Sequence, residues 1–301
     1  MSTTHEKILA LKKKRKALIL AHYYQTMDIQ GIADYVCDSF EMARRAKDAE
    51  EELLIICGVR FMAESAKILN PGKTVLLPST DAGCPMADMI EPEDVMKLRL
   101  QHPDAAVVCY VNSSAALKAV SDVCCTSSSA EKIVRAVPER RVIFVPDRNL
   151  GAYIAKKVPE KEIILFDGCC PAHDRITAAD ADRAKNMYPG AKLLAHPECR
   201  EEVLIQADFI GSTAEIIREA VNSGAAEYII ATEDGVAERL RMLAPGKSFH
   251  TIVNDFICSD MKKITLEDVL GSLESGDYEV MLSAPEIAAA SMSLERMVEL
   301  G

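Results

Sequence analysis

One set of residues recurs three times along this 301-residue chain, first after 88 positions and then after 86, and no other feature constrains the fold as tightly. The apolar run Leu18-Ile19-Leu20-Ala21-His22 has counterparts in Val107 to Tyr110 and in Leu193 to His196, so that His22, Tyr110 and His196 hold one register. Ser39, Ser127 and Thr213 keep the same spacing, each ahead of an amphipathic stretch. Third apolar runs (Leu53 to Cys57, Arg141 to Val145, Tyr228 to Ala231) follow, with helices expected to begin near Arg60, Arg148 and Asp234. Fourth strands are expected at Thr74 to Leu77, Glu162 to Phe166 and His250 to Asn254, and just beyond them stand Cys84, Cys170 and Cys258.

Short β-branched runs alternating with amphipathic stretches are the pattern of parallel α/β structure, and a long fixed period signals a repeated supersecondary unit. The expected fold class is therefore α/β, with three pseudo-symmetric three-layer αβα units, each a four-stranded parallel sheet, around a pseudo-threefold axis. The expected divisions are residues 1–85, 86–172 and 173–260, with an extension over 261–301 whose last helix, 284–301, completes the first unit. Parallel units present functional loops at the carboxyl ends of their strands, so three of them can face one central cavity.

Composition narrows the function. A formal charge of −11 argues against a nucleic-acid surface, while a small anion remains acceptable at a helix start or beside one buried cation. No apolar stretch is long enough to span a bilayer, and the charged run from Met1 to Arg15 is unlike a signal peptide, so a cytoplasmic protein without a membrane partner is expected. Ten cysteines in that setting are expected to be free thiols.

Three of those thiols share one structural address. Cys84, Cys170 and Cys258, brought together from three units, make a soft site suited to zinc or an iron-sulfur cluster. Three ligands leave a position open, and on a cluster that position lets one iron bind substrate as a Lewis acid. Cys37, Cys57, Cys109, Cys124, Cys125 and Cys199 lie in or beside expected strands and read as core, whereas Cys169 adjoins a proposed ligand. His22, His173 and His196 can carry protons or clamp a carboxylate; His5, His102 and His250 lack such placement. Ser39, Ser127 and Thr213 stand where N-caps are expected, at helix starts that attract phosphate or carboxylate. Tyr24, Tyr110 and Asn112 add hydrogen-bonding groups, and Glu198 a general acid or base.

Taken together, Ala21-His22-Tyr23-Tyr24-Gln25, Asp81-Ala82-Gly83-Cys84, Tyr110-Val111-Asn112-Ser113, Cys125-Thr126-Ser127-Ser128 and Pro146 to Gly151 resemble the quinolinate synthase family. Gly168-Cys169-Cys170-Pro171-Ala172-His173, His196-Pro197-Glu198-Cys199 and Ile257-Cys258 with Met261-Lys262 extend the resemblance over nearly the whole chain. The family's spacing of cysteine to histidine selects Cys170 over Cys169, as the repeat does. Small departures are Tyr23 for a frequent Asn, Cys37 for a common Gly, which bears on the loop shape near Ser39, and Ser129 for a frequent Asn. The paired extra cysteines that some members carry beside the last ligand are not present, so no redox switch is expected there.

The resemblance implies one 4Fe-4S cluster per chain on Cys84, Cys170 and Cys258, and the condensation of iminoaspartate with dihydroxyacetone phosphate to quinolinate, phosphate and water in NAD biosynthesis. It implies substrate contacts from His22, Ser39, Tyr110, Asn112, Ser127, His173, His196, Glu198, Ser212 and Thr213, with Tyr24, Tyr110, His196 and Glu198 as catalytic groups. An L-aspartate oxidase is the implied source of iminoaspartate. Two other readings stand beside it. In a structural zinc protein the same thiolates and a histidine such as His173 close a tetrahedral site. A metal-free isomerase or aldolase requires a lysine at a strand end, and none is evident.

Overall fold

The computed structural model describes residues 3–301. Within them the chain forms three sheets of four parallel strands, each flanked by helices. The first unit contains β1 (Ala17–His22), β2 (Tyr35–Cys37), β3 (Leu53–Cys57) and β4 (Thr74–Leu76) in the order β2-β1-β3-β4. The second repeats this with β5 (Ala105–Tyr110), β6 (Val123–Cys125), β7 (Arg141–Val145) and β8 (Glu162–Leu165). The third does so with β9 (Lys192–Ala195), β10 (Phe209–Ile210), β11 (Glu227–Ala231) and β12 (Ser248–Thr251).

The central strands β1, β3 and β5 are buried along their whole length, as continuous aliphatic runs must be when helices cover both faces of a sheet. The third sheet shows how the faces divide. Leu194, Tyr228 and Ile230 turn into the main core, while Leu193, Ala195, Ile229 and Ala231 pack in a separate cluster with Ala181, Ala184 and Val203. Successive strand residues point to opposite faces, so both clusters come from the same strands.

Helices start at Arg60, Arg148 and Asp234, as the repeat requires. The last strand differs from expectation: β12 runs Ser248–Thr251 rather than His250 to Asn254, because its ladder is set by β11, pairing Ser248 with Glu227 and Thr251 with Ile230. The carboxyl-terminal helix Ala284–Leu300 lies in the seam between the first two units. It packs on helices Arg60–Leu69 and Ala115–Ala119 and on β6, with Ser293 Oγ donating to Lys118 O at 2.9 Å and Arg296 to Asp122 O at 2.8 Å. Helix Leu266–Ser275 instead covers the first unit, against Thr4–Arg15. No helix among the described residues is long and apolar enough to cross a membrane.

First and third units touch closely where helix Asp234–Leu243 begins. A Cβ on Gly235 would stand 2.6 Å from Tyr23 O and 3.1 Å from Tyr24 Cα. Alanine ordinarily gains up to about 1 kcal/mol over glycine in a helix. Here the obstacle is backbone, so overpacking wins. Gly235→Ala is expected to lose about 1–3 kcal/mol in urea unfolding; an unchanged or raised midpoint would show that the contact yields.

Candidate active site

The strands deliver their carboxyl-terminal loops to one cavity at the meeting of the three units. His22 and Tyr24 end and follow β1, Tyr110 and Asn112 end and follow β5, and His196 and Glu198 follow β9; all six line it. Beyond the second strands come Ser39, Ser127 and Thr213, and beyond the fourth Cys84, Cys170 and Cys258, with His173 one turn after Cys170. Phe40, Phe61, Met62, Met86 and Met261 supply an apolar wall.

Capping is arranged differently from the expectation. Ser39 and Thr213 occupy the first helical position, and the caps are Asp38, which accepts from Glu41 N at 3.0 Å, and Ser212, which accepts from Glu215 N at 3.4 Å. The cap ahead of helix Ala130–Ala136 is Ser129 rather than Ser127. Capping by a neighbour leaves the hydroxyls of Ser39 and Ser127 to the cavity, while that of Thr213 reaches Tyr24 Oη. Ser212 itself is absent from the cavity wall, its hydroxyl being spent on the cap. Cys37 is buried and leaves the Asp38 cap intact.

A hydrogen-bonded chain runs across the floor. Thr213 Oγ1 donates to Tyr24 Oη at 3.3 Å, Tyr24 Oη lies 2.7 Å from Thr232 Oγ1, and Thr232 Oγ1 lies 3.0 Å from His173 Nε2. His173 Nδ1 stands 2.8 Å from Glu198 Oε2 and 3.2 Å from Cys170 Sγ. An ionised carboxylate only accepts, so His173 donates through Nδ1; with a neutral imidazole, Thr232 donates to Nε2 and Tyr24 to Thr232. Asn112 Nδ2 reaches the other carboxylate oxygen at 3.4 Å, while Asn112 Oδ1 is buried without a partner, an acceptor available to a ligand.

The charge state of this chain follows from burial and neighbours. Burial opposes ionisation of Glu198, but His196, His173 and the hydroxyl of Tyr110 outweigh it and hold the carboxyl below its ordinary range. Burial lowers His22 to about 3, with His196 adding to the effect, and His196 to about 4, so both are neutral imidazoles at neutral pH. Tyr24 and Tyr110 are pushed well up by burial and by the Glu198 charge, which keeps both as phenols.

The donor set tells which group fits. All three cysteines are free and half-buried at the cavity, and none of their sulfurs faces it alone. Nearby backbone N–H groups, of Met86 and Ala87 at Cys84, of Asp260 and Met261 at Cys258 and of His173 at Cys170, favour the thiolate form. Burial pushes Cys84 up to about 12 and raises the other two, so a cation must draw the protons off to bind. Cys170, His173 and Glu198 place donor atoms within 4.8 Å of one another, close enough for one ion, and Cys84 and Cys258 lie outside that group. A single tetrahedral zinc at ~2.3 Å from each sulfur would need them roughly 3.8 Å apart. The three sulfurs do not all lie within 4.8 Å of one another, so as they stand they do not close on one such ion. Cys169 does not line the cavity, and the six cysteines expected as core are buried.

Several site residues escaped the sequence reading. Thr232 gave no signal at all. Asp147 and Asn149 lay within the Pro146 to Gly151 run, and Lys262 beside Cys258, without evident roles. Asn149 Nδ2 donates to Glu198 O at 3.0 Å and to Asp174 Oδ1 at 2.9 Å, fixing the loop that carries Glu198. Lys262 pairs with Glu233 at 2.8 Å and donates to Tyr24 O at 2.6 Å; burial still lifts Glu233 to about 7. Glu233 shares its register with Asp147, and that was the readable signal.

Comparison with known proteins agrees with this arrangement. The family model for quinolinate synthetase A protein matches residues 6–299. Quinolinate synthase of Caldicellulosiruptor saccharolyticus is 50% identical over 290 residues, 96% of either chain. That of Caldicellulosiruptor bescii is 48% identical over 294 residues, 98% of this chain and 97% of the relative. A protein of Methanosarcina acetivorans named quinolinate synthase 2 is 46% identical over 295 residues, 98% and 95% respectively. Similarity that runs from end to end and takes in all the loops meeting at the cavity leaves one conclusion: the chain belongs to the quinolinate synthetase A family of enzymes, the quinolinate synthases.

Proposed function

We propose that this enzyme condenses iminoaspartate with dihydroxyacetone phosphate to give quinolinate, phosphate and two waters, as a step of NAD biosynthesis in the cytoplasm. The observation that carries the reading is the convergence of three thiols, one from each unit, with a buried acid-base chain and free hydroxyls in one cavity. Cys84, Cys170 and Cys258 would hold one 4Fe-4S cluster. Such a cluster, with only three protein thiolates, supplies an open iron that serves as a Lewis acid toward a substrate oxygen or nitrogen. Ten free thiols support the cytoplasmic assignment, and an L-aspartate oxidase is the proposed source of iminoaspartate.

The protein's own groups divide the remaining work. Ser39, Ser127 and Thr213 offer hydroxyls beside helix starts, where phosphate and carboxylate oxygens are favoured. Neutral His22 and His196, with Asn112, orient the substrate by hydrogen bonds without adding charge. Glu198, held ionised, takes a proton from substrate carbon or nitrogen, and Tyr24 or Tyr110, held as phenols, returns one to a leaving hydroxyl. The apolar wall of Phe40, Phe61 and Met62 limits water at a site where a labile imine must survive.

Protein purified without oxygen is expected to be brown and to carry about four iron and four sulfide per chain. Cys170→Ala should lose both and Cys169→Ala keep both. Zinc without sulfide would replace this reading with a mononuclear site at Cys170, His173 and Glu198. In a coupled assay following quinolinate, Glu198→Gln is expected to lower kcat by about 10²–10⁴ while iron content stays at the wild-type level; wild-type turnover would remove Glu198 as the base.

A further inference from the structure

The three cysteine loops are fastened by the same backbone bond. The first N–H of the helix after the third strand donates to the carbonyl two residues before the cysteine: Arg60 to Ala82 at 2.8 Å, Arg148 to Gly168 at 2.8 Å, and Asp234 to Phe256 at 2.9 Å. The residue just ahead of that helix, its N-cap, is Val59, Asp147 or Glu233 in the three units. In the second and third units the cap carboxylate binds twice. Asp147 Oδ1 accepts from Leu150 N at 2.9 Å and Oδ2 from Cys170 N at 3.2 Å. Glu233 Oε2 accepts from Gly235 N at 2.8 Å and Oε1 from Cys258 N at 3.4 Å. One oxygen caps the helix and the other holds the cysteine's own N–H.

Valine can do neither. The loop before Cys84 is tied instead by exposed cations, Arg60 to Thr80 O at 3.0 Å and Lys263 to Asp81 O at 2.7 Å, bonds that water can replace at small net cost. Cys84 also lines a second, polar surface cleft beside Arg60, Asp81, Asp88, Asp260 and Lys263, so it is approached from outside as well as from the cavity.

Resting on the reading of the three cysteines as one metal site, we infer that Asp147 and Glu233 are positioning residues that lock Cys170 and Cys258, and that Cys84 is the arm through which the cluster is assembled and lost. The backbone bond common to all three units sets each loop's path, and the second carboxylate oxygen removes the remaining freedom of two cysteines but not of the third.

Two variants separate this role from simple capping. Serine and asparagine both keep a good cap, but serine is too short to reach Cys170 N and asparagine replaces the second acceptor oxygen with Nδ2, a donor. Iron release from oxygen-free holoenzyme to a chelator is expected to be about tenfold faster in both Asp147→Ser and Asp147→Asn, with thermal midpoints near that of the wild type. Release at the wild-type rate from either variant, or faster release only in step with a lowered thermal midpoint, would overturn the positioning role. During the same release from the wild type, alkylation by iodoacetamide read by peptide mass spectrometry should consume Cys84 ahead of Cys170 and Cys258, with Cys169, half-buried outside the cavity, as the reference. Cys84 reacting together with or after the other two would overturn its part. A wild type without iron and sulfide would overturn the reading of the site, and this inference with it.

Discussion

The parallel ladder between the first and third strands of each unit is what the rest of the molecule depends on. Ala17 to Ala21 pair with Leu53 to Cys57, Ala105 to Cys109 with Arg141 to Val145, and Lys192 to Ala195 with Tyr228 to Ala231. Strand order reverses beside each of these pairs, and a crevice opens where the chain leaves for opposite faces. Three such crevices meeting at one point make a cavity whose wall is all strand ends and helix starts. Side chains there are held by rigid elements, while the backbone polar groups around them are satisfied by the caps.

Into that frame is set a buried charge. Glu198 is kept ionised in a place that disfavours ions, and it is tolerated because donors surround it: His173 at one oxygen, Asn112 at the other, and the hydroxyl of Tyr110. The charge also orders its neighbours. It makes Nδ1 the donor of His173 and keeps the phenols protonated, so that a base and its acids coexist at one pH.

How far this was legible depended on whether a residue's partner lay in its own unit. Strand cores, helix starts and the three cysteines recur at fixed spacing because each unit obeys the same local rules, and β12 begins two residues and ends three residues before its expected limits because an edge strand takes its limits from its neighbour. A hydroxyl at a helix start is usually a cap, so Ser39 and Thr213 look like caps in the sequence; Asp38 and Ser212, each one residue earlier, take that role through geometry. Thr232 could not be found, since its meaning lies in Tyr24, 208 residues away, and in His173, 59 residues away.

Repetition along the chain therefore determined the class of fold, the number of units and the address of the chemistry, because hydrophobic period and turn chemistry act over a few residues and are written locally. Only the tertiary structure decided which residues share a hydrogen bond, which hydroxyls remain free, and what charge each group carries. Those depend on burial and on atoms brought within about 3 Å from distant parts of the chain, and burial is a property of the assembled units.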